Sequence, residues 1–180
     1  MTRRRRVFLW VGLTALGLLA ASQYWVWAGR FAPVVPGRLY RSAELPPASL
    51  AELCRRHSIT LVVDFRKDSP LPAEEAEVLR RAGIAHLNLP TGQVPSPATV
   101  ARFLEEMDRR PRDRVLLHCA QGVGRTGVFS AIYRMEYQGW SPRAATIEQL
   151  IFSGFGSFRP GSDKARFLAA YRPQRTRTER

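Results

Sequence analysis

A chain of 180 residues with 45% apolar and 10% aromatic side chains has the size and composition of one globular domain with its own core. Its formal charge of +13 gathers at the ends, at Arg3 to Arg6 and at Arg172, Arg175, Arg177 and Arg180. No basic stripe interleaved with aromatics crosses the middle, which excludes nucleic acid as a partner. Cys54 and Cys119 are the two cysteines, so neither a disulfide framework nor a CxxC metal site is available.

The first element is the stretch 7–28, "VFLWVGLTALGLLAASQYWVWA", which carries no charge and follows the arginine cluster. As a helix it would rise roughly 33 Å, enough for a bilayer core of about 30 Å. Tyr24, Trp25 and Trp27 stand where interfacial anchors collect. The reading taken is an N-terminal transmembrane anchor over 1–29, with membrane contact through 7–28. Three others compete with it: a signal peptide cleaved near "AAS" at 20–22, a partial twin-arginine signal, and a buried core helix. The positive-inside rule keeps the arginines in the cytoplasm. In a bacterial cell the catalytic domain of this single-pass chain would then be periplasmic, or exported and soluble after cleavage.

From residue 30 to 172 the pattern predicts one domain, with 173–180 as a basic tail. Strands are expected over 37–42, 59–65, 84–90 and 114–119. Helices are expected over 46–57, 71–83, 96–110, 126–139, 141–153 and 161–171. Strands separated by helices predict an α/β fold with a mostly parallel sheet flanked by helices. Sites in such sheets form beyond the carboxyl ends of the strands, where Cys119 falls.

The stretch "VLLHCAQGVGRTGVF" (115–129) poses a choice. Gly122, Gly124 and Gly127 fit G-x-G-x-x-G, but a dinucleotide fold needs a second strand with an acidic residue about 20 positions on. Here a further helical stretch follows, and Glu148 sits on it. Arg125 also occupies a loop that must approach a cofactor closely. The alternative uses every position. Cys119 and Arg125 form C-x5-R, with His118 before it and Thr126 and Gly127 after it. A short loop opening a helix turns its N–H groups inward as an anion nest, which lowers the thiol pKa. The nest would be lined by Ala120, Gln121, Gly122, Val123, Gly124 and Arg125. Cys119 is the expected nucleophile, Arg125 the bidentate phosphoryl clamp, Thr126 a donor to the sulfur, and His118 an orienting residue behind the loop.

These residues resemble a known signature. "HCAQGVGRTG" is similar to H-C-x2-G-x2-R-[ST]-G of the cysteine-dependent protein tyrosine phosphatase superfamily. "LYRSAEL", "LVVDFR" and "GIAHLNLP" resemble the small bacterial dual-specificity-like phosphatases over roughly 37–171. The resemblance implies that fold and a two-step phosphomonoester hydrolysis through phosphocysteine, without metal or other cofactor. Phosphorylated proteins or small phosphomonoesters would be the substrates.

The sequence departs from the family at the general acid. The resemblance implies an aspartate in the loop after the strand at 84–90, but "PTGQVPSP" holds neither Asp nor Glu. Asp64 and Asp68, near the end of another strand, are the candidate acids, although a structural hydrogen bond for Asp64 and a solvated turn for Asp68 are the favoured explanations. Gln93 can position a water but not protonate a leaving group. Arg41 and Arg66 read as surface or ion-pairing arginines that add positive field at the mouth. Cys54 reads as a buried apolar residue, or as a resolving partner for Cys119 if the fold brings the two together. The neutral loop positions favour phosphotyrosine or another singly phosphorylated group over inositol phosphates and phosphoinositides. A phosphate-binding pseudophosphatase is the alternative that the missing acid suggests.

Overall fold

The computed structural model describes residues 3–27, 29–67 and 70–175. Five strands, β1 (Ala32–Val35), β2 (Leu39–Ser42), β3 (Leu61–Asp64), β4 (Ala85–Asn88) and β5 (Val115–His118), form one sheet in the order β1-β2-β5-β3-β4. β2, β5, β3 and β4 are mutually parallel, and β1 joins β2 antiparallel at the edge. The sheet is therefore mixed, and β1 is an element the sequence pattern does not predict. Its short run "APVV" contains Pro33, which cannot donate to a ladder and is tolerated on an edge strand.

Every residue of β3 and β5 is buried because helices cover both faces of the sheet. On one face Val62 and Leu116 meet Leu50, Ala51 and Cys54 of α2 (Pro47–His57) and Leu79 of α3 (Pro70–Arg81). On the other, Leu61, Val63, Val115 and Leu117 meet α4 (Pro97–Arg109), α5 (Gly124–Gln138), α6 (Pro142–Phe152) and α7 (Asp163–Ala170) through Phe103, Phe129, Ala145 and Leu168. Each Val, Leu or Phe side chain among them contributes about 1.5–3 kcal/mol on full burial. Ser96, Ser141 and Ser162 cap α4, α6 and α7, each accepting a backbone N–H. A cap of this kind contributes about 1 kcal/mol.

The expected transmembrane helix is corrected here. α1 spans Arg3–Trp27 and begins within the arginine cluster. Among the described residues no helix is long and apolar enough to cross a membrane. The membrane partner through 7–28 and the periplasmic placement built on it are withdrawn.

Candidate active site

β5 is the central strand, and its carboxyl end delivers His118 and Cys119 to the top of the sheet. The loop then turns back at Gly122, whose φ of 66° lies in the left-handed region. A Cβ there would stand 2.4 Å from the Ser42 carbonyl oxygen at the end of β2, so only glycine fits. α5 begins two residues later at Gly124, which places a helix N-terminus beside the loop.

Arg41 holds the outer side of this turn. It is 3% exposed, not the surface arginine expected, and donates to the carbonyls of Gly122 (2.9 Å) and Val123 (3.4 Å) and to Gln149 Oε1 (2.6 Å). Its guanidinium carbon lies 3.6 Å from the Phe152 ring centroid. Burial pushes Arg41 down to about 10, while the charges of Glu148 and Cys119 pull it upward, so it is cationic at neutral pH. Carbonyls held outward by a buried cation leave the opposite, N–H side of the turn facing the thiol.

Cys119 is 2% exposed. Burial raises its pKa, but the Thr126 hydroxyl and N–H, the Arg125 charge and the Gly122 N–H overturn that and bring it below 9.0. The Thr126 Oγ1 to Sγ distance is 3.1 Å. Arg125 is fixed by its Nη1, which donates to the Phe65 carbonyl just past β3 at 2.8 Å. The remaining guanidinium N–H groups are the fork that a phosphoryl group requires. Gly127, further along α5, lets that helix approach the core closely, since a Cβ would lie 2.8 Å from the Phe158 ring.

Behind the loop lies a buried ionic network. His118 Nε2 is 2.8 Å from Glu75 Oε1, and His86 Nε2 is 3.3 Å from the same oxygen. Arg66, also buried, donates to Asp64, to Glu75 at 2.6 Å and to Glu44 at 2.7 Å. Burial raises the Glu75 carboxyl, but hydrogen bonds from His118 and His86 and the charges of His118 and Arg66 bring it down to about 2. Asp64, fully buried, takes Arg66 N at 2.8 Å and the guanidinium on both oxygens. It serves Arg66 and does not line the cavity at Cys119. Asp68 lies outside the described residues. The ligand atoms of Asp64, Glu75, His86 and His118 lie within 4.8 Å of one another, a spacing that suits a cation. The Arg66 guanidinium already occupies both carboxylates, so the cluster carries its own cation.

A cavity of about 330 Å³ opens over Cys119 and Arg125, with Ala120, Gln121 and Gly124 along its wall. The carbonyls of Gly122 and Val123 are turned instead toward Arg41. Gln93, Ser157 and Lys164 complete the lining. Ser157 and Lys164 are not singled out by the sequence, nor is Glu75, although Glu75 stands four positions before the buried Leu79 on the inner face of α3. A carboxylate on the apolar face of a helix is the signal that finds it. Cys54 lies in the core on the opposite face of the sheet from Cys119, and burial pushes its thiol up to about 12. It is therefore not placed as a resolving partner.

Residues 29–180 match the PTP-SAK family, described as a Swiss Army Knife protein, DSP-PTPase phosphatase domain. The dual specificity protein phosphatase TpbA of Pseudomonas aeruginosa is 37% identical over 135 residues, 74% of this chain and 57% of the relative. The chain thus spans 57% of the length of that curated relative. A crystal structure of TpbA superposes with a TM-score of 0.57 at 36% identity, covering 75% of this chain and 78% of that one. The catalytic domain of the PP-IP phosphatase SIW14 from S. cerevisiae superposes with a TM-score of 0.66 at 22% identity, covering 79% and 85%, which is a likeness of fold. The chain belongs to the PTP-SAK family of dual-specificity-like phosphatase domains.

Proposed function

We propose that this family member is a phosphomonoester hydrolase that works through a phosphocysteine on Cys119. The observation that carries the reading is the meeting of two groups on one cavity, with a third behind them. A thiol brought below its ordinary pKa and a fixed guanidinium line it, and the buried Thr126 hydroxyl donates to the sulfur. A thiolate at the floor of an anion nest attacks phosphorus, and Arg125 and the loop N–H groups hold the equatorial oxygens as charge spreads over them. The Thr126 hydroxyl supports the sulfur as it leaves when water hydrolyses the intermediate. Arg41 holds the loop carbonyls outward, and the Glu75–His118 pair fixes the strand end behind the nucleophile.

Phosphotyrosine, in a protein or peptide, is the substrate class we favour. Ala120, Gln121, Val123 and Gly124 put no extra charge into the loop, where polyphosphorylated substrates call for cations. A cysteine-to-serine variant of TpbA has been crystallised in complex with pTyr, at 33% identity to this chain and a TM-score of 0.55.

One experiment tests the reading. The full chain is assayed without added metal on phosphotyrosine peptides and inositol phosphates, beside Cys119→Ser. Turnover of the peptides by the parent, lost in the variant while phosphate binding persists, supports it. Phosphate binding without turnover in the parent assigns the pseudophosphatase reading, and preference for inositol phosphates overturns the substrate class.

A further inference from the structure

The cavity over Cys119 holds no carboxylate among its described lining residues, but it holds a second cation. Lys164, one of two lysines in the chain, stands on the first turn of α7. Its ammonium donates to Gln93 Oε1 at 3.0 Å. Gln93 comes from the loop after β4, so two separate elements meet at this bond. Together they cover the start of α5. A Cβ on Gly124 would stand 2.6 Å from Gln93 Oε1 and 3.6 Å from Lys164 Nζ.

The placement matters because displacement at phosphorus is in line. The Cys119 sulfur attacks from the floor of the loop, so the leaving oxygen departs on the opposite side, toward the mouth. Gln93 and Lys164 line that cavity over the start of α5. Arg125 cannot serve there, since it is anchored to the Phe65 carbonyl and addresses the equatorial oxygens.

We propose that Lys164, steered by Gln93, is a catalytic residue that meets the charge on the leaving oxygen, in a cavity with no carboxylate among its described lining residues. The inference rests on the phosphocysteine reading above. As the S–P bond forms, the P–O bond breaks and its electron pair goes to the departing oxygen. The ammonium stabilises that anion by charge and hydrogen bond, and the anion takes its proton from solvent after leaving. Water then cleaves the S–P bond and returns the thiolate and inorganic phosphate. The substrates so served are aryl phosphates, whose anions are stable enough to leave once a cation is beside them.

The test is a leaving-group series on the full chain, from nitrophenyl phosphate to phenyl phosphate, comparing the parent with Lys164→Gln and Lys164→Arg. Because nitrophenolate leaves well unaided, Lys164→Gln should change its rate less than about threefold, while phenyl phosphate should slow by roughly 100-fold or more. Lys164→Arg, which keeps the charge, should restore the shallow dependence. Lys164→Met is the second charge-removing variant should the first not fold. A parent that is inactive, or unaffected by Cys119→Ser, overturns the phosphocysteine reading itself. An active parent whose leaving-group slope is unchanged in the charge-removing variants overturns the role of Lys164 alone.

Discussion

Thr126 Oγ1 donates to Cys119 Sγ across 3.1 Å, from the first turn of the helix that the nucleophile's own loop initiates. The bond favours thiolate over thiol, and it favours sulfur as a leaving group when phosphocysteine breaks down. Thr126→Ala should therefore slow the second step more than the first. Rapid-quench kinetics on nitrophenyl phosphate are expected to show a burst of nitrophenol followed by a steady rate lowered about 100- to 1,000-fold, the range for removing one donor to developing charge. A steady rate within about twofold of the parent, without a burst, assigns Thr126 no part in the second step.

The two cysteines should titrate far apart. Alkylation follows the thiolate, not the thiol. The hydrogen bonds and Arg125 charge that overturn the burial penalty at Cys119 put its inflection below 9.0, while burial puts Cys54 at about 12. Iodoacetamide should modify Cys119 in the native chain with an inflection below pH 9 and leave Cys54 untouched until the protein unfolds. Equal modification of both at pH 7, read by peptide mass spectrometry, contradicts the assignment.

The elements that carry this site are legible in the sequence for physical reasons. The β-branched run ending at Asp64, the apolar run ending at His118 and the glycine-rich turn after it each follow from local chemistry alone. What surrounds them is not local. Arg41 reads as a surface or ion-pairing arginine, yet β2 aims it under a loop 81 positions away. Lys164 is not singled out by the sequence, and only the return of α7 over α5 brings it to Gln93, 71 residues distant. The apolar run at 7–28 shows the opposite failure. Its composition matches a bilayer, but among the described residues no helix meets the length and hydropathy such a span demands.

Glu75 gives the fold a pH signature. Its carboxyl is brought down to about 2 by His118, His86 and Arg66 against the burial penalty, from an ordinary value near 4.5. A depressed carboxyl stabilises the folded state above its unfolded pKa, and that contribution is lost as pH falls through the folded value. The parent should lose stability between about pH 4.5 and 2, whereas Glu75→Gln should lose less across the same window. Urea midpoints measured across that range check this, and parallel curves for the two proteins contradict it.

Gly122→Ala should break the loop from two directions at once. The added methyl would stand 2.4 Å from the Ser42 carbonyl oxygen, and φ is 66°. Left-handed backbone costs a residue with Cβ about 1–2 kcal/mol, and overpacking typically about 1–3 kcal/mol. At about 2–4 °C per kcal/mol for a chain of this size, the melting temperature should fall by roughly 5–15 °C. Phosphate binding should weaken with it. An unchanged melting temperature means that the turn relaxes without loss.

Arg41 separates a structural from an electrostatic role within the same side chain. Its guanidinium satisfies Gly122 O, Val123 O and Gln149 Oε1 together, and one ammonium on a shorter stem cannot reach all three. Arg41→Lys keeps the charge near Cys119 but frees the loop carbonyls. Each unsatisfied buried acceptor costs about 1–3 kcal/mol, so the melting temperature should fall. A purely structural loss would stop there. If Arg41 sets the orientation of the turn, peptide groups released from it rotate, and the Gly122 N–H that stabilises the thiolate moves away. The Cys119 alkylation inflection should then rise toward 9.0, and Arg125 alone should hold phosphate less tightly. A lowered melting temperature with an unmoved inflection, measured well below the transition, assigns Arg41 to stability and leaves the nest to Gly122 and the start of α5.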